Sequence, residues 1–271
     1  MTPRSPLVVD SPHSGRDYPA DFGFSCPFFQ LRRTEDFCVD ELTNVAVDAG
    51  ATFIAADVPR AYIDFNRAED DIDPALLSTP WPFPLNPTDR TRLGLGLVRR
   101  MCAAGLPVYD APLPPSAVAH RIARYYRPYH GQIMAAMDAA QACYGVAYLI
   151  DCHSMPDRAG PDVTPRPDFV LGNLSGQSCN ADFMHLVRDH LQALGYSVAL
   201  NDPYQGVEIV RRHGNPQQGR QALQLEINRR LYMDESALMK HQGFAALRDD
   251  LRRLFMRIVQ DITPAQILAA E

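Results

Sequence analysis

Two histidines in matching sequence contexts are the first residues that could carry chemistry. His13 and His153 each follow an apolar stretch that closes with an aspartate, and each directly precedes a serine. Ligands gather at the carboxyl ends of the strands in an open α/β sheet. The repeated context therefore predicts that both imidazoles reach one edge and bind a single divalent metal, unless each is an ordinary loop histidine. The two aspartates, Asp10 and Asp151, are placed to accept hydrogen bonds from the rings or to cap the neighbouring turns.

The third ligand of such a metal has several candidates. A catalytic zinc site uses three protein ligands and keeps one position open. Asp36 is the first choice because it precedes an amphipathic stretch, although an aspartate at a helix start is also a common helix cap. Asp17, four residues after His13, and Glu35 are the alternatives.

Hydrolysis also needs a base beside the attacking water, and Glu226 is the candidate. It lies near the end of the apolar stretch ALQLEI, in which a buried carboxylate is costly unless it has a role. A structural pairing with Arg229 or Arg230 is the alternative explanation.

Arginine and amide side chains supply the candidate substrate-binding groups. Lys240 is the only lysine, so an anionic substrate must be held largely by guanidinium groups, which grip carboxylates through paired hydrogen bonds. The adjacent amide and guanidinium of Asn66 and Arg67 could clamp a carboxylate. Spacing alone does not rank the candidates against ordinary solvated side chains. The full set is Arg60, Asn66, Arg67, Asn201 and Arg211.

The elements that must position these residues follow an alternating pattern. Short apolar runs alternate with stretches of helical period, which predicts an α/β fold with a central sheet covered by helices. The runs are PLVVD, ATFIAADV, VAYLID, DFVLG, YSVAL and ALQLEI. The predicted helices span residues 36–48, 115–142, 178–194 and 236–261. Residues 73–92 carry five prolines and no periodicity, so we expect a surface loop there, within a single domain over residues 1–271.

Composition narrows the class of partner. The 271-residue chain has a formal net charge of -6, which gives no general attraction to nucleic acid or anionic membranes, so a small-molecule partner is expected. No segment approaches the roughly 18 apolar residues of a membrane-spanning helix. The six cysteines form no CxxC pair, which is typical of reduced thiols and predicts a cytoplasmic protein. The absence of GxSxG, HExxH and GxGxxG argues against serine hydrolases, zincins and dinucleotide-binding proteins.

Eight segments, taken in chain order, resemble one family, the N-formylglutamate amidohydrolases, also called N-formylglutamate deformylases. They are SPHSG (11–15), TED with DEL (34–42), PRAYIDFNR (59–67), RPYH (127–130), LIDCHSMP (149–156), FVLGN (169–173), NDPYQG (201–206) and ALQLEINRRLYMDE (222–235). Each segment is weak alone, whereas their common order is specific. The resemblance implies a three-layer fold with a mixed sheet between helices, similar to zinc carboxypeptidases.

The resemblance also implies a role for each matched residue. Glu226 would be the general base, and Asn66 with Arg67 would bind a substrate carboxylate. Arg16 stands where the compact HxxE spacing of carboxypeptidases would place a glutamate ligand. The implied ligands of one divalent ion, with zinc preferred, are His13, Asp36 and His153.

The implied reaction is hydrolysis of N-formyl-L-glutamate to formate and L-glutamate in histidine degradation. The alternatives are a metallo-deacylase acting on another N-acyl amino acid and a non-catalytic carboxylate-binding relative. The chain departs from the family pattern at Glu208, which follows Gly206 and Val207. We expect this difference to affect the preference for the acyl group or the side chain.

Overall fold

The computed structural model describes residues 2–158 and 164–263. The chain forms two compact units. The sheet unit consists of residues 1–11, 38–54 and 133–271, and the loop unit consists of residues 12–37 and 55–132. The single domain expected over residues 1–271 stays a prediction.

A six-stranded mixed sheet forms the centre of the sheet unit. Its strand order is β2-β1-β5-β8-β6-β7, with the bounds given at the end of this paragraph. Strands β1, β5 and β8 pair in parallel, as do β6 and β7, whereas β6 runs antiparallel to β8. The predicted mixed central sheet is confirmed, and each predicted apolar run forms one of its strands. The strands of the described residues are β1 (Leu7–Ser11), β2 (Thr52–Ala55), β3 (Met101–Ala103), β4 (Leu106–Pro107), β5 (Ala147–Met155), β6 (Phe169–Gly172), β7 (Val198–Leu200), β8 (Arg220–Asn228), β9 (Met233–Asp234) and β10 (Met239–Lys240).

The hydrophobicity of the sequence predicted these strands because most of the sheet is buried. Every residue of β1 and β6 is buried, and β5 and β8 are buried over most of their length. Parallel strands that are covered on both faces read as nearly continuous apolar runs. A polar residue within such a run therefore marks a position with a special role.

Helices flank the sheet within the same unit. Helices α2 and α7 contact the sheet, and α8 packs against α2 and α6. The α-helices of the described residues are α1 (Phe28–Arg32), α2 (Val39–Thr43), α3 (Asp89–Arg92), α4 (Pro115–Arg121), α5 (Arg127–Tyr144), α6 (Ala181–Ala193), α7 (Glu208–His213) and α8 (Gly243–Ile262). Short 3-10 helices span Asn44–Ala49, Pro74–Leu76, Leu174–Gly176, Pro216–Gln218 and Arg229–Leu231, and a π-helical turn spans Ile122–Tyr126.

The predicted helices differ from the observed ones mainly at their ends. The expectation of a helix from residue 236 is wrong, because β9 and β10 form a hairpin there and α8 begins at Gly243. The Asp234 carboxylate accepts hydrogen bonds from the backbone amides of Ser236 and Ala237, and this turn replaces the first helical residues. The helix expected over residues 36–48 is a short α-helix followed by a 3-10 helix.

A buried cation, Arg121, links several segments of the loop unit. The Arg121 guanidinium carbon lies 4.0 Å from the ring centroid of Tyr62, and Nη1 donates to the Tyr62 carbonyl (3.0 Å) and to Tyr109 Oη (2.7 Å). Stacking and hydrogen bonds offset the cost of burying this charge. In the proline-rich segment 73–92, the two helices are the 3-10 turn that begins at Pro74 and the single turn α3.

Two further observations concern the hydrophobicity of the helices and the state of the cysteines. Among the described residues, no helix combines the length and the hydrophobicity needed to cross a bilayer. All six cysteines are free thiols.

Buried His213, at the end of α7, makes the stability of the protein depend on pH. Burial and the charges of Arg212 and Arg220 lower the pKa of His213 from 6.5 to about 4. The unfolded chain therefore takes up a proton before the folded one, so the free energy of unfolding should fall as pH drops from about 6.5 to about 4, by on the order of 3 kcal/mol. Urea denaturation over this range checks the prediction. In His213→Gln this part of the pH dependence should disappear, whereas in the exposed control His120→Gln it should persist.

Candidate active site

His13 lies at the centre of a buried polar cluster in the loop unit. Its Nε2 lies 2.6 Å from Asp64 Oδ1, and its Nδ1 lies 3.3 Å from Asp36 Oδ2. All three side chains are almost fully buried. The backbone fixes this arrangement, because the Asp36 amide donates to the His13 carbonyl (3.0 Å) and Ser14 Oγ donates to the Asp36 carbonyl (2.9 Å).

Asp64 determines which nitrogen of His13 carries the proton. Burial and the nearby charge of Arg60 lower the pKa of His13. Burial alone would raise the pKa of Asp64, but the charge of Arg60 and the hydrogen bond with His13 hold it well below its usual value. An ionised carboxylate can only accept a hydrogen bond, so Nε2 donates to Asp64 and the lone pair of the neutral ring stays on Nδ1.

The facing atoms of His13 and Asp36 fit a divalent cation. Both His13 Nδ1 and Asp36 Oδ2 offer lone pairs, and they lie 3.3 Å apart. Metal–ligand distances of about 2.0–2.1 Å in a tetrahedral site place neighbouring ligand atoms about 3.3 Å apart. A carboxylate on the far ring nitrogen, as Asp64 provides, is the usual means of orienting a metal-binding imidazole.

The alternative carboxylate ligands have other surroundings. Glu35 is buried, and its carboxylate accepts hydrogen bonds from Tyr18 Oη and from Arg32 Nη2, the latter at 3.5 Å. Asp17 is exposed. Asp36 is also not a helix cap, because the N-cap of α2 is Cys38 in a left-handed conformation (φ 56°).

Asp64 joins the histidine to a group of arginines, and sequence reasoning missed it. Arg60 donates to Asp64 Oδ2 through Nε (3.2 Å) and Nη2 (2.9 Å), and to Asp36 Oδ1 through Nη1 (3.4 Å). Asp64 is completely buried between Ile63 and Phe65, which are themselves buried. A charged residue within the apolar run YIDF was the signal in the sequence that could have identified it.

In the sheet unit, His153 and Glu226 lie side by side on neighbouring strands. They are register partners in the parallel pairing of β5 with β8. Paired residues of adjacent strands point to the same face, with the strands about 4.7–4.9 Å apart. Both side chains are almost fully buried. The predicted base therefore lies next to a predicted metal ligand.

A second polar pair supports the first from two residues earlier in each strand. Asp151 and Gln224 are also register partners. Asp151 Oδ1 lies 2.8 Å from His153 Nε2, and Gln224 Nε2 donates to Glu226 Oε1 (2.9 Å). Asp151 thus lies in close charged contact with the His153 ring, although the contact does not have hydrogen-bond geometry at Oδ1. His153 lies within β5 rather than after it, unlike His13, which follows the end of β1.

Both arginines that are the alternative partners of Glu226 also contact other residues. Arg230 donates to Asp157 Oδ1 (2.8 Å) and to Asp168 Oδ1 (2.6 Å). Arg229 Nε donates to Ser154 Oγ (3.0 Å).

Asn66 and Arg67 are brought into the cluster around Asp64 within the loop unit. The Asn66 amide donates to Asp64 Oδ1 (3.0 Å). Arg67 donates to the Leu95 carbonyl through Nε (3.1 Å) and to the Asn66 carbonyl through Nη1 (3.1 Å). The Asn66 contact comes from its backbone N–H, so the turn holds the Asn66 backbone and the Arg67 guanidinium near a buried carboxylate.

The helical segment that contains RPYH supports this turn from behind. Tyr126, the last residue of the π-helical turn, donates from Oη to the Arg67 carbonyl (2.6 Å). His130 Nε2 lies 3.0 Å from the Phe65 carbonyl, and its ring packs on Tyr126 with centroids 4.4 Å apart. A π-helical turn shifts the side chains that follow it and often occurs at functional sites. Its effect here is to hold the backbone on both sides of Asn66.

Asn201 and Arg211 have contacts that hold the sheet unit together. Asn201 exchanges side-chain hydrogen bonds with Asn173, donating to its Oδ1 (2.9 Å) and accepting from its backbone amide (3.0 Å), and so ties the end of β7 to that of β6. Arg211 is exposed on α7 and donates to Glu208, which also accepts from Arg212 (2.8 Å). Both candidates belong to the sheet unit, whereas His13 belongs to the loop unit. Their binding role stays a prediction.

Comparison with known proteins decides the family. Residues 5–233 match the family model described as N-formylglutamate amidohydrolase. The chain belongs to the N-formylglutamate amidohydrolase family. It is 30% identical to the N-formylglutamate deformylase of Pseudomonas putida over 86% of this chain and 84% of the relative. It is 32% identical to the Pseudomonas aeruginosa N-formylglutamate deformylase over 96% and 91%, respectively.

Solved structures agree with this family assignment. The chain is similar to the crystal structure of N-formylglutamate amidohydrolase from Ralstonia eutropha JMP134, with a TM-score of 0.91, 44% identity, and coverage of 95% of this chain and 94% of that one. An Agrobacterium tumefaciens protein with a TM-score of 0.66 and 15% identity shares the fold over 96% and 92% of the two chains. The family expected from the eight motifs, and the amidohydrolase class with it, are confirmed.

Gly15, in the family motif SPHSG, keeps the His13 loop against its neighbour in the loop unit. A Cβ atom at Gly15 would overlap the Val58 carbonyl. We expect Gly15→Ala to lower the free energy of unfolding by about 1–3 kcal/mol, because backbone must move to admit the methyl group. Gly131 is the matched control, since a Cβ there meets nothing within 4 Å. Gly131→Ala, within α5, should be neutral or stabilising by up to about 1 kcal/mol in the same urea titration.

Proposed function

We propose that the chain hydrolyses N-formyl-L-glutamate to formate and L-glutamate, using one divalent metal ion, zinc by preference. The proposed ligands are His13, Asp36 and His153. The substrate is that of the named relatives in the family. The observation that carries the metal centre is the 3.3 Å separation of His13 Nδ1 and Asp36 Oδ2, with Asp64 behind the ring.

The metal would supply two kinds of chemistry when bound, polarisation of the formyl oxygen and a lower pKa for a water molecule. The residues of the chain account for the remaining requirements. Asp64 holds the ring of His13 through Nε2, and Asp151 Oδ1 lies 2.8 Å from Nε2 of His153. Gln224 orients the carboxylate of Glu226. Oriented ligands and an oriented base need little rearrangement during the reaction.

Glu226 moves the proton in the proposed reaction. It takes a proton from the attacking water as the water oxygen bonds to the formyl carbon. It then delivers that proton to the amide nitrogen as the carbon–nitrogen bond breaks, which releases formate and the free amino group. Positioned proton transfer of this kind is worth about 10²- to 10⁴-fold in rate.

Asn66 and Arg67 would bind a carboxylate of the substrate. They lie next to each other beside Asp64, on a turn that Tyr126 supports through the Arg67 carbonyl. An arginine holds a carboxylate through two parallel hydrogen bonds, which fixes orientation as well as charge. Capture of the anionic substrate at this turn would separate N-formylglutamate from neutral amides. We further propose the role in histidine degradation that the family resemblance implies.

Formate release tests the proposed function. Zinc-loaded protein is offered N-formyl-L-glutamate, N-acetyl-L-glutamate and an N-formyl aromatic amino acid at equal concentration, and its metal content is measured by elemental analysis. We expect about one metal ion per chain and the highest kcat/KM for N-formyl-L-glutamate. Faster cleavage of another amide would identify a different metallo-deacylase. Absence of both turnover and stoichiometric metal would leave a carboxylate-binding protein.

A further inference from the structure

Arg99 is a buried guanidinium that the sequence analysis did not single out. It follows a segment that lies along the Asp64 turn in the loop unit, since the Asp64 amide donates to the Leu97 carbonyl (2.7 Å). Its side chain is 11% exposed, and Nη2 lies 3.9 Å from Asp64 Oδ2. That separation is beyond hydrogen-bond reach. Among the residues that the structure describes, Arg99 Nε has no hydrogen-bond acceptor.

The two neighbouring arginines differ from Arg99 in how their donors are used. Arg60 donates to both Asp64 and Asp36. Arg67 donates to two backbone carbonyls. Arg99 is therefore the member of this group whose guanidinium lies buried without a direct acceptor at hydrogen-bond distance within the described ranges.

The electrostatic surroundings of Arg99 have an excess of positive charge. Burial and then the charge of Arg60 lower its pKa to about 9, and Arg67 acts in the same direction. Asp64 and Asp36 oppose this shift without cancelling it. An ion pair at 3.9 Å offsets only part of the cost of burying this charge, so an anion from outside the chain would stabilise this group of side chains.

We propose that Arg99 binds one of the two carboxylates of the substrate. This inference rests on the proposed function and adds a specificity residue to it. A planar guanidinium with free donors matches a carboxylate, and Asn66 and Arg67 lie on the same Asp64 turn. With Arg67 on one carboxylate and Arg99 on the other, the loop unit would bind a dicarboxylate rather than a single anion.

The affinity for L-glutamate tests this role without any need for turnover. Calorimetric titration of L-glutamate into the wild type is compared with Arg99→Met and with Arg92→Met, in which an exposed arginine paired with Asp89 is replaced. We expect the dissociation constant to rise about 10- to 100-fold in Arg99→Met, because charged hydrogen bonds are lost. It should be unchanged in Arg92→Met. Equal affinity of the wild type and Arg99→Met would overturn the proposal.

Kinetics with three substrates separate a binding role from a structural one. The substrates are N-formyl-L-glutamate, N-formyl-L-glutamine, which lacks the side-chain carboxylate, and 4-formamidobutanoate, which lacks the α-carboxylate. Arg99→Met should lose about 10- to 100-fold in kcat/KM on the first. It should lose the same on one of the other two, and almost nothing on the substrate without the carboxylate that Arg99 binds. An equal loss on all three would overturn the proposal.

Thermal denaturation completes the test. Because Arg99 has close cationic neighbours and its Nη2 lies 3.9 Å from Asp64 Oδ2, beyond hydrogen-bond reach, Arg99→Met should melt at or above the wild-type temperature. A melting temperature of Arg99→Met far below that of the wild type would indicate a structural arginine and would contradict the proposal. Arg99→Lys, which keeps the charge, is the second variant for the binding measurement. Absence of wild-type turnover contradicts the proposed function instead, whereas the glutamate titration still reports on Arg99.

Discussion

Replacement of Glu226 by glutamine should lower kcat for formate release by about 10²- to 10⁴-fold, with KM changed by less than about threefold. The amide keeps the size of the carboxylate, and its oxygen can still accept the hydrogen bond from Gln224 Nε2. It has no basic oxygen with which to take a proton from water. Steady-state kinetics with N-formyl-L-glutamate measure both parameters, and elemental analysis should show the metal content of the wild type.

Glu235→Gln is the matched control for Glu226→Gln. Glu235 lies in the same unit and accepts a hydrogen bond from the Asp157 amide (3.0 Å). The same chemical change there should leave kcat within about twofold, since a surface substitution removes no transition-state contact. Equal rates for the wild type and Glu226→Gln would remove Glu226 from the mechanism.

Replacement of Asp64 by asparagine should lower the free energy of unfolding by about 3–5 kcal/mol, the cost of breaking a buried charge pair. Asparagine leaves Arg60 buried without its closest anion and removes the acceptor that fixes His13. Loss of such a carboxylate behind a metal-binding imidazole typically weakens metal binding about 10- to 100-fold. Urea denaturation measures the first effect, and zinc competition with a chromogenic chelator measures the second.

Asp70→Asn is the control for Asp64→Asn, because Asp70 is exposed in the same unit. We expect its stability to lie within about 0.5 kcal/mol of the wild type and its zinc affinity to be unchanged. A stability of Asp64→Asn within 1 kcal/mol of the wild type would contradict the view that Asp64 neutralises Arg60. Unchanged zinc affinity would show that Asp64 does not orient a metal ligand.

Much of the sheet was predictable from the sequence, because its central strands β1, β5, β8 and β6 are buried on both faces over most of their length. Such strands need only local hydrophobicity to be recognised. The hairpin of β9 and β10 was missed for the opposite reason. Strands β9 and β10 have only two residues each, too few to show the alternation of a strand, and the turn depends on one carboxylate, Asp234, that reaches the following backbone amides.

Some residues of the candidate site could be predicted because their sequence context is unusual. His13 and His153 stood out because strand context was repeated, and Glu226 because a carboxylate interrupts an apolar strand. Asp64 and Arg99 were missed because their meaning depends on neighbours distant in sequence. Asp64 contacts His13 across 51 positions, and Arg99 is notable for the acceptors that it lacks. The spacing of residues along the sequence therefore does not reveal either relation.

The nine-residue register between β5 and β8 limits where the length of this chain can change. Side chains alternate between faces, so adding or deleting one residue early in either strand turns every later side chain over. His153 and Glu226 would then point to opposite faces even though no amino acid had been substituted. In a library that contains single-residue substitutions, insertions and deletions, we therefore expect residues 147–153 and 220–226 to tolerate substitution of one apolar residue by another far better than any change of length. The proline-rich segment 73–92 has no strand register to preserve, so it should tolerate insertions and deletions better than these two strands do.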